Sequence, residues 1–149
     1  MKVKILESGD EQLLLEFLQS LSPEVLNNWS HYGKIFDATG ITQILLDSNE
    51  IKIAGLEKNG DEKIIVLGHL YNLIQTTCRL GIVSLRRGYG TKMMMVLIDH
   101  CKSIGINKIY LSVFQDNIPA ITLYKKFNFK IVQEFTDRPR HAYEMELIL

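Results

Sequence analysis

The run Leu85-Arg86-Arg87-Gly88-Tyr89-Gly90-Thr91-Lys92 holds the residue types and spacing that most directly suggest chemistry. Its glycines let a backbone approach a ligand without a Cβ collision. A long apolar-periodic segment follows, so the unpaired N–H groups of a first helical turn, aided by the helix dipole, would point at an anion such as a phosphate. Arg86, Arg87 and Lys92 add local positive charge to a chain whose 17 Lys plus Arg cancel 17 Asp plus Glu. The run is not a Walker loop, because G-x-x-x-x-G-K-[ST] is absent, and the three-glycine dinucleotide fingerprint is incomplete. A tight turn with solvated arginines explains the same residues equally simply. Cys78 lacks a neighbouring base or electropositive setting and reads as a buried strand thiol rather than an acyl carrier.

A strand must precede this loop and a helix must follow it. The apolar run from Thr76 to Val83 supplies the strand. Tyr89 to Ile104 supplies the helix, with Met93, Met94, Leu97, Ile98, Cys101 and Ile104 on one stripe and Gly105 as its stop. Lys108 to Val113 reads as the next strand, giving a parallel strand-helix-strand unit with a right-handed crossover and a ligand crevice at the strands' carboxyl ends. Asn117 then caps a helix with Pro119 in its first turn and Ala120, Leu123, Tyr124 and Phe127 on one face. Asn128 takes the left-handed stop.

Upstream, Lys2 to Glu7 alternates as a short strand. Ser8-x-x-Glu11 offers a capping box before Leu13, Leu14, Phe17, Leu18 and Leu21. Ser22-Pro23 starts a second helix running toward Trp29, and Gly33 ends that region. A helical turn around Ile41 to Leu46 is poorly defined. Ile51 to Glu57 and Lys63 to Tyr71 flank Lys58-Asn59-Gly60-Asp61, an Asn-Gly hairpin signal. Phe129 to Phe135 and Ala142 to Ile148 finish as strands. The order is β-α-α-β-β-β-α-β-α-β-β, an α/β chain with a mixed α+β sheet.

At 149 residues, 46% hydrophobic and 23% charged, the composition is that of one globular domain spanning 1–149, not a disordered or fibrous chain. The zero net charge argues against a nucleic-acid or anionic-membrane partner. No apolar run approaches the roughly 18 residues of a membrane span, and Met1 to Ser8 lacks a signal-peptide core, so a cytoplasmic address is expected. Cys78 and Cys101 sit apart in different elements, with no disulfide framework, and read as reduced.

The run Gly88-Tyr89-Gly90-Thr91-Lys92, followed by Ile109-Tyr110-Leu111-Ser112-Val113, Asn117, Ala120, Leu123-Tyr124-Lys125-Lys126 and Asn128-Phe129, resembles the GCN5-related N-acetyltransferases (GNAT). The specific part covers residues 80 to 130, and the element order extends the likeness over the chain. The resemblance implies a GNAT-like acyl-CoA N-acyltransferase fold, with a splayed sheet that admits acetyl-CoA between its fourth and fifth strands. It further implies that Ile82 and Val83 offer main-chain groups to the pantetheine arm. Arg86, Arg87, Gly88, Tyr89, Gly90 and Thr91 would surround the pyrophosphate, and Asn117 would contact the pantetheine region. Tyr124 matches the family's tyrosine near the thioester sulfur, where its hydroxyl can protonate the departing thiolate. By periodicity alone Tyr124 is a core residue of its helix. Two departures stand out: in the loop, Leu85 occupies a position where the family carries Gln or Arg and the connection from Val83 to Gly88 is several residues short, and Asn128, which also tolerates the left-handed conformation, stands where the family prefers Gly.

The implied reaction is transfer of the acetyl group from acetyl-CoA to a primary amine, preferably of a small molecule, by direct attack and without metal or covalent enzyme intermediate. A charged amine must first lose a proton. His69 is the nearest candidate base, since imidazole titrates near neutrality, although a histidine hydrogen-bonded at a sheet edge explains it too. Glu57 and His31 are weaker candidates, and Arg79 stands where some relatives carry a strand glutamate. Trp29, His31, Tyr32 and Phe36 would line the acceptor side. The alternatives are a protein N-terminal or lysine acetyltransferase, or an acyl-CoA-binding module without turnover. The C-terminal strands could also pair across a homodimer.

Overall fold

The computed structural model describes residues 1–29, 38–58 and 61–149. The elements are β1 (Lys2–Ile5), α1 (Glu11–Ser20), α2 (Pro23–Asn28), α3 (Ala38–Leu46), β2 (Ile51–Leu56), β3 (Ile64–Ile74), β4 (Thr77–Ser84), α4 (Tyr89–Ser103), β5 (Lys108–Phe114), α5 (Ile118–Lys126), β6 (Lys130–Phe135) and β7 (Ala142–Ile148). The sheet is seven-stranded in the order β1-β2-β3-β4-β5-β7-β6. All neighbours are antiparallel except β4 and β5, which run parallel. The Asn59-Gly60 turn lies outside the described residues, while the antiparallel pairing it was expected to join, Ile51↔Leu70 through Leu56↔Ile64, is present.

Strand alternation gives the sheet two apolar faces. Ile53, Leu70, Cys78, Leu80, Ile109, Leu111 and Met145 pack with Met93, Met94, Leu97 and Cys101 of α4. Ala54, Leu56, Leu67 and Val83 pack with Leu14, Phe17 and Leu18 of α1 on the other face. A Cβ on Gly68 would sit 2.6 Å from Met93 Sδ and 2.9 Å from Leu97 Cδ1. Alanine there would have to displace two fully buried side chains, so glycine lets α4 lie directly on β3 and fixes where its N-terminus points.

Several expectations are corrected. The Ser8 capping box does not form. The N-cap is Asp10, which makes no side-chain cap bond. Its carboxylate instead accepts from Lys4 Nζ at 2.6 Å and from the Glu7 amide at 2.9 Å, while Glu11 reaches back to the Gly9 amide. A partly buried ion pair outcompetes the local cap. The poorly defined turn near Ile41 is a full helix, α3, despite Gly40 in its interior; Leu45 packs beside α1, so tertiary contact overrides the propensity cost. Ile104 is 45% exposed because α4 ends there, one residue before Gly105 at φ +82°. On α5 the buried residues are Ile121 and Tyr124, with Ala120, Leu123 and Phe127 partly covered. The two cysteines meet across the sheet–helix interface, Sγ to Sγ 3.8 Å, as free buried thiols.

Other signals hold. Ser22 Oγ accepts from the Val25 amide and Pro23 opens α2. Asn117 Oδ1 accepts from the Ala120 amide, and Asn128 stands at φ +69° after α5. No helix among the described residues is long and apolar enough to cross a membrane.

Candidate active site

The parallel pairing of β4 and β5 runs from Thr77↔Lys108 only to Arg79↔Tyr110. Beyond it β4 stays paired to β3 through Ser84, and β5 stays paired to β7 through Phe114. The two inner edges therefore part, leaving main-chain donors and acceptors of Gly81–Ser84 facing a cleft. A cavity of about 610 Å³ opens there, within the range of small-molecule sites. Its walls bring together Trp29, His69, Ile82, Val83, Gly90, Asn117 and Tyr124, drawn from α2, β3, β4, α4 and α5.

At one end of the cleft, α4 starts from Gly88 at φ +85°, with no side-chain cap, so its first-turn amides are left for another acceptor. The loop is closed tightly: Ser84 Oγ donates to the Arg86 carbonyl at 2.7 Å and accepts from its amide, and the Leu85 amide donates to the Ile65 carbonyl. Arg86 turns outward to Glu57 at 2.6 Å, and Arg87 is exposed. Lys92 lies over the Tyr89 ring. Of the loop residues singled out in the sequence, Gly90 lines the cavity, whereas Arg86, Arg87, Gly88, Tyr89 and Thr91 are not among its walls. A chain of phosphates fits this arrangement: amides and a helix N-terminus at the mouth, and an unpaired strand edge leading inward.

Deeper in the cavity, Tyr124 is only 7% exposed and packs against Phe129. Burial, with a contribution from Tyr71, pushes its phenol up to about 12. Below pH 10 the phenol is protonated in both folded and unfolded chains. Between about 10 and 12 the unfolded chain ionises first, so stability falls as pH rises, by roughly 2–3 kcal/mol in all. Denaturant titrations of wild type and Tyr124→Phe across this range will show a steeper alkaline decline for wild type.

His69 is not an edge histidine. It lies in the interior of the sheet, paired to Lys52 on one side and Gly81 on the other. It is fully buried, and its Nε2 is 3.4 Å from Glu50 Oε2, an oxygen that also meets Lys52 Nζ at 2.9 Å. Its ring stacks on Tyr71 at 4.7 Å. Its Nδ1 lies 3.8 Å from where a Cβ on Gly81 would be, and Trp29 Nε1 lies 3.2 Å from the same point. His31, Tyr32, Phe36 and Gly33 lie outside the described residues.

The sequence reading missed Tyr71, Glu50 and two arginine clusters. Tyr71 was findable, since i and i+2 on a strand share a face. Arg79 forks onto Glu144 at 2.6 and 2.9 Å, with Ser112 bridging them, so this arginine is committed to β7. Arg140 forks onto Asp116, donates to Asn28 Oδ1 and the Asn27 carbonyl, and covers Phe114 at 3.8 Å. It ties the β6–β7 connection to the end of α2, which delivers Trp29.

Residues 85–129 match the acetyltransferase (GNAT) family. A spermine/spermidine N(1)-acetyltransferase of Bacillus subtilis (strain 168) is 44% identical over 45 residues, 30% of this chain and 30% of that protein. An L-amino acid N-acetyltransferase of Escherichia coli (strain K12) is 41% identical over 46 residues, 30% of this chain and 28% of that protein. These matched segments take in less than a third of either relative. Over nearly the whole chain, the fold is shared with a spermidine N-acetyltransferase from Vibrio cholerae solved with CoA and spermine (TM-score 0.80, 16% identity, 99% of this chain and 94% of that one). It is shared as well with a ribosomal-protein-S5-alanine acetyltransferase from Vibrio fischeri (TM-score 0.85, 15% identity, 98% and 91%). The strand-to-helix loop, α4, β5 and α5 thus match the acetyltransferase (GNAT) family in sequence, and the whole sheet shares its fold with these solved acetyltransferases.

Proposed function

We propose that this chain is an acetyl-CoA-dependent N-acetyltransferase that modifies a primary amine of a small molecule by direct attack on the thioester. The observation that carries the reading is the parting of β4 from β5 between the bare first turn of α4 and the buried Tyr124. Bound acetyl-CoA supplies an activated acyl group as a thioester. Gly88 to Thr91 would hold its pyrophosphate, with the exposed Arg87 beside them. The open edge at Ile82 and Val83 would take the pantetheine amides as an added strand takes its neighbour. Asn117, already the cap of α5, can touch the same arm with its amide nitrogen.

Tyr124 holds a proton at its hydroxyl. With a pKa of about 12 against roughly 8.5 for a cysteine-like thiol, complete transfer to a thiolate is uphill. The phenol therefore acts chiefly as a hydrogen-bond donor that stabilises negative charge on sulfur. His69 would receive the proton the amine must lose, and Trp29 would wall the acceptor side.

Calorimetry with acetyl-CoA, followed by thiol release over a panel of amines, tests the reading; tight binding with no release from any amine would instead favour a module that binds without turnover. That second reading has one supporting observation, the diversion of Arg86 to Glu57. Gly88 offers a sharper check on the loop. A Cβ there meets nothing within 4 Å, so space is available, yet φ +85° is a conformation L side chains avoid at a cost of roughly 1–2 kcal/mol. Gly88→Val is expected to raise the Kd for CoA about tenfold, and Gly88→Asn, which tolerates that conformation, to raise it far less.

The reduced thiol pair Cys78 and Cys101 fits a cytoplasmic setting. The exposed Ile131 and Val132 on the edge strand β6 offer a surface for a second copy, which sedimentation measures directly.

A further inference from the structure

The charges around the cavity are unevenly committed. Glu50 is held by Lys52 at 2.9 Å, Glu144 by Arg79 at 2.6 Å and Asp116 by Arg140 at 2.8 Å. Among the described residues no carboxylate lines the cavity, whereas Arg138 does. Arg138 is half-exposed, stacks on Phe135 at 4.7 Å, and among the described residues has only the solvent-exposed Asp137 beside it, at 3.6 Å. In sequence, residues 30–37 add Lys34 against a single Asp37, so they bring no net negative charge. Trp29, Tyr71, Phe114 and Val25 give the acceptor-side walls an aromatic and apolar surface, and the polar residues beside them, Asn28 and Ser112, are uncharged.

A polyamine carries several positive charges and needs carboxylates to replace its hydration; burying it here would leave those charges unpaired beside a guanidinium. We propose, resting on the acetyl-transfer reading above, that the acceptor is a primary amine bearing a carboxylate, of the α-amino acid type with an apolar or aromatic side chain, and that Arg138 selects it. The planar guanidinium presents two parallel donors that match a carboxylate, and the aromatic walls take the side chain. The α-amine of such a molecule then points inward toward His69 and Tyr124, because its charged end is retained at the mouth. This assignment separates the chain from the polyamine acetyltransferases it resembles over 45 residues, since Arg138, Trp29, Tyr71 and Val25 lie outside the family-matched residues 85–129.

The test uses the full chain with acetyl-CoA and reads thiol release. L-Phenylalanine, L-phenylalaninamide, phenethylamine and spermidine are compared at one pH. The amide keeps the shape, loses the negative charge and has the more easily deprotonated amine, so intrinsic reactivity alone would make it the better substrate. The expected order is the acid above the amide by at least about tenfold in kcat/KM, with spermidine lowest. In Arg138→Gln the acid-to-amide ratio falls by about tenfold to a hundredfold, mainly through KM of the acid. Arg138→Lys, which keeps charge without the fork, retains part of it. Thermal midpoints within a few degrees of wild type show that both variants fold. An amide or spermidine turned over better than the acid, or an unchanged ratio in Arg138→Gln, overturns the proposal while leaving acetyl transfer standing. Saturable acetyl-CoA binding with no thiol release from any of the four amines overturns acetyl transfer, and the proposal with it.

Discussion

Tyr124→Phe will lower kcat by about 10²- to 10³-fold while the Kd for acetyl-CoA stays within about twofold. The two halves of this expectation come from different parts of the structure. Cofactor affinity is assigned to the first turn of α4 and the open edge of β4, neither of which needs the phenol oxygen. The hydroxyl instead sits on a side chain that is 7% exposed, at the end of the cavity where the strands have parted. A donor in so dry a place is worth far more than one in water, because no solvent replaces it when it is removed. The pKa of about 12 adds a second signature. Since the phenol stays protonated through neutral and moderately alkaline pH, kcat should show no downturn from Tyr124 below about pH 11. A profile that falls between 9 and 10 would assign the acid to another group. A Phe variant that turns over like wild type would remove Tyr124 from the chemistry and return it to the role its helical stripe suggests, a core residue beside Phe129.

What could be read from the sequence was whatever is decided within a few residues. The strand, the paired glycines and the apolar helix that follow one another from Thr76 to Ile104 are local patterns, and they locate the loop. The Asn117 cap, the positive φ of Asn128 and the Ser22-Pro23 start are equally local. Residues that meet across elements were not legible. Lys52, His69 and Gly81 lie in one row because two antiparallel registers happen to align them, and a one-residue slip in either would send His69 to the opposite face. Cys78 and Cys101 meet only because α4 crosses back over β4. The Ser8 box failed for the same reason in miniature: Lys4, on the strand before it, captured Asp10 and moved the helix start.

That row also makes His69 the site of the second large effect. His69→Gln should reduce kcat/KM at neutral pH by about 10²- to 10³-fold, again with little change in acetyl-CoA affinity. Glu50 Oε2 lies 3.4 Å from Nε2, so its negative charge favours a proton on that nitrogen, while Nδ1 lies on the Gly81 side, toward Trp29. Among the described residues, the groups facing the ring are Glu50 just before β2, Lys52 of β2, Tyr71 of β3 and Trp29 at the end of α2. A base must be neutral to act, so wild-type kcat/KM should decline on the acid side as His69 takes up a proton. Glu50→Gln removes the negative charge that stabilises the imidazolium and leaves Lys52 to oppose it, so the acid limb moves to lower pH while His69 is retained. A purely structural role for Glu50 would lower activity at every pH without moving that limb. If the limb persists unchanged in His69→Gln with the fold intact, the proton leaves the amine through another group, and His69 serves as a wall between Trp29 and Tyr71.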